Sequence, residues 1–277
     1  MKRIISPTIT LIIALSTLPF MSCTQSDGNQ QSASSSQVEG GILMTEISPN
    51  PSSKEASVSS NIGTMSTQLE KGTQAPITVT VKGSIHPEVW KPGETATIEF
   101  SGFPKNATEL QAVQEQYGNR PDVAVLLELM AFEIYNHDKE EGKNCLEIVN
   151  VTNNVSSVEQ ILKDRYNPQY GDYYTPFLVA TYLEGASPEN AYKVNHPFTI
   201  KVRSHKVNKY QDSNSLKGTV LYLEVYSSGY DTPWRGISVT KQKGCPYYKA
   251  VNCPALYTQC KPVSFKIDEE YTDIWLQ

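Results

Sequence analysis

Apolar and polar residues alternate in several short stretches near both ends of the region 75–277, which is the pattern of strands with one buried face. Phe198 and Ile200, for example, share a face opposite Thr199 and Lys201. The segments with this period of two are 77–81, 96–100, 198–202, 221–225, 237–239, 248–251 and 263–267. The first two are close enough along the chain to predict an opening hairpin.

A period close to 3.6 runs through residues 106–185 and predicts a block of about four helices. Asn106 is placed to cap the first helix, and Pro121 begins the second, which is apolar nearly all round and is therefore expected to be the central buried helix. A third helix begins near Ser156, and a fourth spans 176–185. This order predicts an α+β fold, a mainly antiparallel sheet with the helical block packed on it, preceded by a disordered tether.

The first residues have the organisation of an export signal. Two basic residues precede a mostly apolar stretch that is too short and broken for a membrane-spanning helix, which needs roughly 20 predominantly apolar residues. Ser22 before Cys23 resembles the lipobox of bacterial lipoproteins, although Phe20 stands where that motif more often has Leu. The resemblance implies a signal peptide over 1–22 and a lipid on the sulfur of Cys23. The alternative is an ordinary signal peptide with an incidental cysteine.

Residues 23–74 differ in composition from the rest of the chain. They are rich in Ser, Gln and Asn and contain no aromatic residue, so we expect a disordered tether. All 16 Tyr and all three Trp lie beyond it, and residues 75–277 are expected to form a single α+β domain. Acyl chains on Cys23 would anchor the protein in the cell envelope. Thr24, rather than Asp, follows the cysteine, which resembles the pattern for the outer membrane in a two-membrane cell.

The charge balance argues against nucleic acid as a partner. The chain has 24 Lys and Arg against 29 Asp and Glu, a formal net charge of −5. Nucleic-acid binding depends on basic side chains that neutralise phosphates, and a polybasic membrane-docking surface needs the same excess of positive charge. We therefore expect membrane contact through the lipid anchor alone.

Four cysteines remain after the lipid acceptor is set aside: Cys145, Cys245, Cys253 and Cys260. In an exported chain they are disulfide candidates, with three possible connectivities. The short loop 253–260 favours a Cys253–Cys260 pair, which would leave Cys145 with Cys245, and the connectivity stays open. A thiolate nucleophile made by Cys145 with His137 or His205 is the weaker alternative.

Several strings in the second half resemble an uncharacterised family of exported bacterial proteins. They are GTVLYLEV at 218–225, DTPWRGISV at 231–239 and NCPALYTQC at 252–260, with GFP at 102–104 and SPENAY at 187–192. The family is a domain of unknown function. The resemblance therefore implies a domain over about 76–265 and an exported address, and it implies no activity, cofactor or site residue.

No motif in the sequence supports an active site. The sequence has no G-x-S-x-G elbow, no H-E-x-x-H pair, no phosphate loop and no G-x-G-x-x-G. We therefore predict no catalytic residue, no cofactor and no metal. The pairs Glu140–Glu141 and Glu269–Glu270 lie in charged runs, where a solvated surface explains them better than acid–base catalysis does.

The strongest functional signal is aromatic. Two loops, 166–174 and 228–236, combine Tyr or Trp with Pro, Gly and polar residues. Such rings join a flat apolar face to a hydrogen-bonding edge, which suits a sugar ring or a protein partner, and simple coverage of the core is the alternative. The candidate ligand-binding residues are Tyr170, Tyr173, Tyr174, Tyr230, Asp231, Trp234 and Arg235.

Together these observations predict a membrane-anchored, exported, non-catalytic module that binds a glycan or a protein. One alternative is an exported hydrolase acting on cell-wall or polysaccharide substrates through two carboxylates, which would lie about 5–10 Å apart in a cleft. Another is a structural or assembly lipoprotein, which a large exposed apolar patch would favour.

The lipid anchor can be tested in bacterial cells grown with a clickable fatty-acid analogue. The wild-type chain should carry the label and begin at residue 23, whereas Cys23→Ala should carry none, because the acceptor sulfur is gone. Unlabelled wild-type protein, or native material that keeps its first methionine, would contradict the lipoprotein interpretation.

Overall fold

The structure, a computed structural model, describes residues 76–152 and 154–277. The predicted signal peptide, the lipid acceptor Cys23 and the predicted tether lie outside the described residues. In the part of the chain that is described, no helix combines the length and the apolar character that crossing a membrane requires.

Seven strands of the described region form one sheet. Their bounds are β1 Val79–Gly83, β2 Thr95–Phe100, β3 Phe198–Ser204, β4 Gln211–Ser213, β5 Gly218–Tyr226, β6 Trp234–Thr240 and β7 Lys249–Asn252. The order across the sheet is β1-β2-β3-β5-β6-β7, β4 pairs with β5, and the strand pairings are antiparallel. The predicted opening hairpin is confirmed as β1 and β2.

The two faces of the sheet differ in chemistry. On the inner face, buried residues such as Leu223 of β5 and Ile237 of β6 pair across neighbouring strands and pack into the core. On the outer face, Arg203 Nε donates to Glu224 Oε2 at 2.7 Å. Because successive side chains of a strand point to opposite faces, the pairing register decides which residues meet.

The described residues contain five α-helices, four of them between β2 and β3. They are α1 Ala107–Tyr117, α2 Pro121–His137, α3 Lys139–Val149, α4 Val155–Arg165 and α5 Ile267–Glu270. Asn106 Oδ1 accepts from the amide of Glu109 at 2.9 Å, so the predicted cap of α1 is confirmed. Helix α2 is buried from Pro121 to Tyr135 and contacts β2, β3, β5, β6 and β7. The predicted α+β fold, with helices packed on a mainly antiparallel sheet, is confirmed.

Helix α3 is absent from the sequence prediction. Asp138 caps its N-terminus, because the Asp138 side chain accepts hydrogen bonds from the amides of Glu140 and Glu141. The first turn of α3 is charged, and the helix contains a glycine, which is a poor helix former. Its apolar face is therefore hard to recognise in the sequence. Gly142 is required there, because a Cβ would clash with the backbone of Tyr135 on α2.

The predicted fourth helix, 176–185, is wrong. That segment forms a series of turns with one 3₁₀ turn, Ala180–Tyr182. Its polar groups have partners after β5: the amide of Ser228 donates to Thr181 O at 2.8 Å, and Ser227 Oγ donates to Thr181 Oγ1 at 2.9 Å. Because these partners satisfy the polar groups, the segment keeps its turns although its residues have a helical period.

The expected disulfides are not found among the described cysteines. All four are free thiols: Cys145, Cys245, Cys253 and Cys260. Cys253 Sγ donates to Glu128 Oε1 at 3.3 Å, whereas Cys260 Sγ donates to Tyr230 Oη at 3.5 Å. The 3₁₀ turn Pro254–Leu256 redirects the chain between them, so the two thiols face different partners although the loop is short. The expected Cys253–Cys260 and Cys145–Cys245 pairing is corrected accordingly.

A buried polar network joins α2 to the end of α3 and to the segment after β7. The carboxylate of Glu128, fully buried on α2, accepts from Asn150 Nδ2 at 3.1 and 2.9 Å and from the Cys253 thiol. Asn154 Nδ2 donates to Asn150 Oδ1 at 2.6 Å. Burial raises the pKa of Glu128 to about 7, and the hydrogen bonds from Asn150 and Cys253 oppose that rise.

This network predicts a pH-dependent difference between the wild type and Glu128→Gln. Between about pH 4.5 and 7 folded Glu128 keeps a proton that the unfolded chain has released, so the wild type loses stability as the pH rises. Glutamine cannot titrate. The free energy of unfolding of the variant, relative to wild type, should therefore rise by about 2–3 kcal/mol between pH 5 and pH 8.

Urea unfolding of both proteins at the two pH values measures this difference. Glu115→Gln, on the exposed face of α1, is the matched control and should track the wild type. If the difference in unfolding free energy between the wild type and Glu128→Gln stays constant from pH 5 to pH 8, the raised pKa of Glu128 is refuted.

Candidate ligand-binding site

The two aromatic loops of the sequence analysis meet the same segment, Cys253–Pro262, which we call the strap. On the side of the first loop, 166–174, Gln259 Nε2 donates to Asp172 O at 3.4 Å. On the side of the second loop, 228–236, the amide of Lys261 donates to Gly229 O at 2.9 Å. The fold therefore brings both loops to one region, although they are far apart in sequence.

Four side chains from distant elements donate hydrogen bonds to four consecutive carbonyl groups of the strap. Arg235 Nε donates to Ala255 O at 3.0 Å, Tyr182 Oη to Leu256 O at 2.7 Å, Arg165 Nε to Tyr257 O at 2.9 Å, and Tyr230 Oη to Thr258 O at 3.1 Å. Two of these donors are guanidinium groups, whose charge strengthens the hydrogen bond. These four carbonyls are thus satisfied although the strap lies outside the sheet.

Two clefts flank the strap and share Lys261 and Pro262 in their walls. The first cleft, beside the first loop, has a volume of about 460 Å³, and its walls include Asp172, Tyr174, Phe177 and Asp268. The second cleft, beside the second loop, has a volume of about 510 Å³. Its walls include Glu189, Tyr226, Ser228, Tyr230 and Asp231.

The residues of the first loop divide between cleft and open surface. Tyr174 lines the first cleft. Tyr170 and Tyr173 are about half exposed, at 49% and 52%, and neither is among the residues that line the two clefts. The ring of Tyr173 instead lies 5.5 Å from the guanidinium of Arg165. Of the three tyrosines predicted here to bind a ligand, the structure places one at a cleft.

The residues of the second loop have contrasting surroundings. Tyr230 is buried, its hydroxyl donates to the strap, and burial raises its pKa. The guanidinium of Arg235 lies 4.1 Å from that ring and also donates to Thr258 Oγ1 at 2.7 Å, so Arg235 supports the strap. Asp231 is exposed at the cleft and lies 3.2 Å from Lys261 Nζ. Asp231 and Lys261 are therefore the charged pair that a ligand can reach.

Trp234 lies away from Arg235, because the two residues are consecutive on β6 and point to opposite faces of the sheet. The guanidinium of Arg203 covers the Trp234 ring at 3.9 Å, and Tyr226 packs edge-on against it at 5.6 Å. Tyr226 itself lines the second cleft and is 42% exposed. Trp234 thus supports the cleft through its neighbour.

Sequence reasoning predicted Tyr230 and Asp231 of the second cleft and missed most of its other residues, among them Glu189, Tyr226 and Lys261. Tyr226 had a usable signal, since the β5–β6 register pairs it with Trp234 on the polar face of the sheet. The other two belong to segments that fold in from elsewhere in the chain. Nothing in their local sequence indicates a site.

The carboxylate pairs of the sequence have structural partners. Glu141 Oε2 accepts from the first amide of α1 at 2.9 Å, and Glu270 Oε1 accepts from the N-cap amide of α5 at 2.8 Å. In the second cleft, the hydrogen bond from the Ser187 side chain lowers the pKa of Glu189. A general acid needs a raised pKa, so Glu189 is suited to accepting hydrogen bonds as a carboxylate.

Cys145 has the wrong electrostatics for a nucleophile. Burial, with the charges of Glu141 and Asp138, raises the pKa of its thiol to about 12, whereas nucleophilic attack requires the thiolate. The two histidines considered as its base have carboxylate partners elsewhere, His137 with Glu133 and Asp273, and His205 with Glu224.

Comparison with known proteins places the chain in a family. Residues 102–264, more than half of the chain, match the family described as a domain of unknown function (DUF6935). These residues include α1–α4, β3–β7, the strap and every residue that lines the second cleft. No curated protein and no solved structure matches the chain. The chain therefore belongs to the DUF6935 family.

Proposed function

We propose that this protein is an exported, lipid-anchored, non-catalytic module that binds a glycan in the second cleft. The observation that carries the proposal is the exposed ring of Tyr226 beside the Asp231–Lys261 pair in a concave wall. A sugar ring has an apolar face that stacks on an aromatic ring and hydroxyl groups that need polar partners. The cleft offers both.

The polar lining of the second cleft supports recognition of hydroxyl groups. Ser187, Ser228 and Ser264 contribute to its walls, together with Glu189. Serine hydroxyls both donate and accept, carboxylates accept, and a lysine ammonium donates. These cleft residues can therefore bind a sugar hydroxyl whether it acts as donor or as acceptor. Ligand sites are typically concave with a few placed polar groups, whereas a large flat surface would favour a protein partner.

Binding without hydrolysis is favoured by the state of the carboxylates. A glycosidase needs one carboxyl group with a raised pKa as its general acid. Glu189 has a lowered pKa, and Asp231 is an exposed carboxylate beside Lys261. The carboxyl groups with strongly raised pKa values, Glu128 and Glu133, are buried on α2 and line neither cleft.

The proposed address rests on the N-terminal sequence. The lipobox-like Ser22–Cys23 junction supports lipid attachment, and the Ser/Gln/Asn-rich residues 23–74 support a tether. About 50 flexible residues would span roughly 40 Å, which would hold the domain clear of the lipid headgroups. An anchored binding module could then sample polysaccharide around the cell envelope.

Replacement of Tyr226 tests the proposed site. The full chain, applied to an array of cell-wall and plant polysaccharide oligomers, should retain at least one glycan. Titration calorimetry with that glycan should then show binding about tenfold weaker for Tyr226→Ala, because the stacking ring is lost.

Tyr170→Ala is the matched control for this experiment. Tyr170 is similarly exposed but lines neither cleft, so its loss should leave the affinity unchanged. If the wild-type chain binds no glycan on the array, or if both variants weaken binding equally, the proposed site is wrong.

A further inference from the structure

Three potential metal ligands converge where α2 ends, far from the second cleft in sequence. Glu133 and His137 lie four residues apart on α2 and share one face of the helix. Asp273 joins them from the C-terminal segment after α5. His137 Nε2 lies 3.1 Å from Glu133 Oε1 and 3.3 Å from Asp273 Oδ1, and all three donor atoms lie within 4.8 Å of one another.

We infer that Glu133, His137 and Asp273 form a binding site for a divalent transition-metal ion of the zinc class. Zinc binds imidazole nitrogen and carboxylate oxygen at about 2.0–2.2 Å in tetrahedral geometry, which separates neighbouring ligand atoms by about 3.4 Å. The two distances from His137 Nε2 are close to that value. The ion can therefore be accepted with small adjustments of side chains already in place.

The hydrogen-bonding capacity of the group also favours an ion. An imidazole Nε2 carries at most one proton, and here it faces two carboxylate oxygens at similar distances. One proton cannot make two full hydrogen bonds. A divalent cation could be coordinated by the nitrogen and by both oxygens at the same time, and it would neutralise both carboxylate charges.

A second, independent observation comes from the buried end of the site. The Glu133 side chain is fully buried, and within the described residues its Oε2 has no hydrogen-bond partner. The hydroxyls of Tyr166 and Tyr271 also have no hydrogen-bond partner within the described residues. Burial raises the pKa of both tyrosines, and the nearby charge of Glu133 raises it further. Burying a carboxylate oxygen without a partner is costly, and coordination to a metal is one way to satisfy it.

The opposite end of the site is open to solvent, which gives an ion a way in. The side chains of His137 and Asp273 are 27% and 23% exposed. Trp275 stacks on the His137 ring at 3.7 Å, and its amide donates to Asp273 Oδ1 at 2.8 Å, so one residue orients both ligands. Three protein ligands leave a coordination position for water.

No metal site is predicted from the sequence, because the three ligands do not form a local motif. Glu133 and His137 occupy a helix that otherwise looks like pure core, and Asp273 lies near the other end of the chain. Metal binding here would fix the C-terminal segment against α2. That segment follows α5, whose first residues line the first cleft.

Zinc titration of the EDTA-treated full chain tests the inference. Calorimetry with ZnCl₂ should show one ion bound per chain and a raised Tm, whereas CaCl₂, which prefers oxygen-only ligands, should give neither effect. Asp273→Asn should weaken zinc binding at least about tenfold while keeping the fold. Glu133→Gln, a variant of the same shape, should weaken it likewise.

Glu94→Gln is the matched control, because Glu94 also pairs with a histidine, His86, at 2.7 Å, but among residues 76–152 and 154–277 no third potential ligand joins that pair. This variant should bind zinc as the wild type does. The inference is overturned if the wild-type chain binds no zinc. It is overturned equally if Asp273→Asn and Glu133→Gln keep wild-type affinity, since the ion would then sit elsewhere, for example on the cysteines.

Discussion

The structure of the candidate site depends on the hydrogen bonds that four side chains donate to the carbonyls of Ala255 to Thr258. A segment outside the sheet has no strand neighbour to satisfy its backbone, so it stays ordered only if other groups do so. The donors come from the end of α4, the turns before β3, the second loop and β6. Both clefts use this strap as a shared wall, and their shape follows from it.

The strap is also tied into the core at its first residue. Cys253 donates to Glu128 on the central helix, and Asn150 and Asn154 complete that buried network. At the far end of the same helix, the inferred metal ligands hold the C-terminal segment. Helix α2 therefore supports the ligand-binding region, and its buried Glu128 and Glu133 have structural roles that an entirely apolar helix would not need.

The sequence allowed most of the sheet and three of the long helices to be predicted, because period-two alternation and the apolar content of α2 are local signals. It failed for α3, where Gly142 is dictated by the close approach of Tyr135, and for 176–185, where tertiary partners replace helical bonds. Within the site, Tyr174 and Asp231 could be found from composition. Lys261 could not, because the strap that carries it is positioned by contacts distant in sequence.

The most direct test of this account is hydrogen–deuterium exchange on wild type and Tyr230→Phe. The substitution keeps the ring beneath Arg235 and removes only the hydroxyl that bonds Thr258 and Leu256. If the strap is the shared support, amide exchange should become faster in residues 253–262 and also in both loops, 166–174 and 228–236. Faster exchange confined to the second loop, or none at all, would contradict the account.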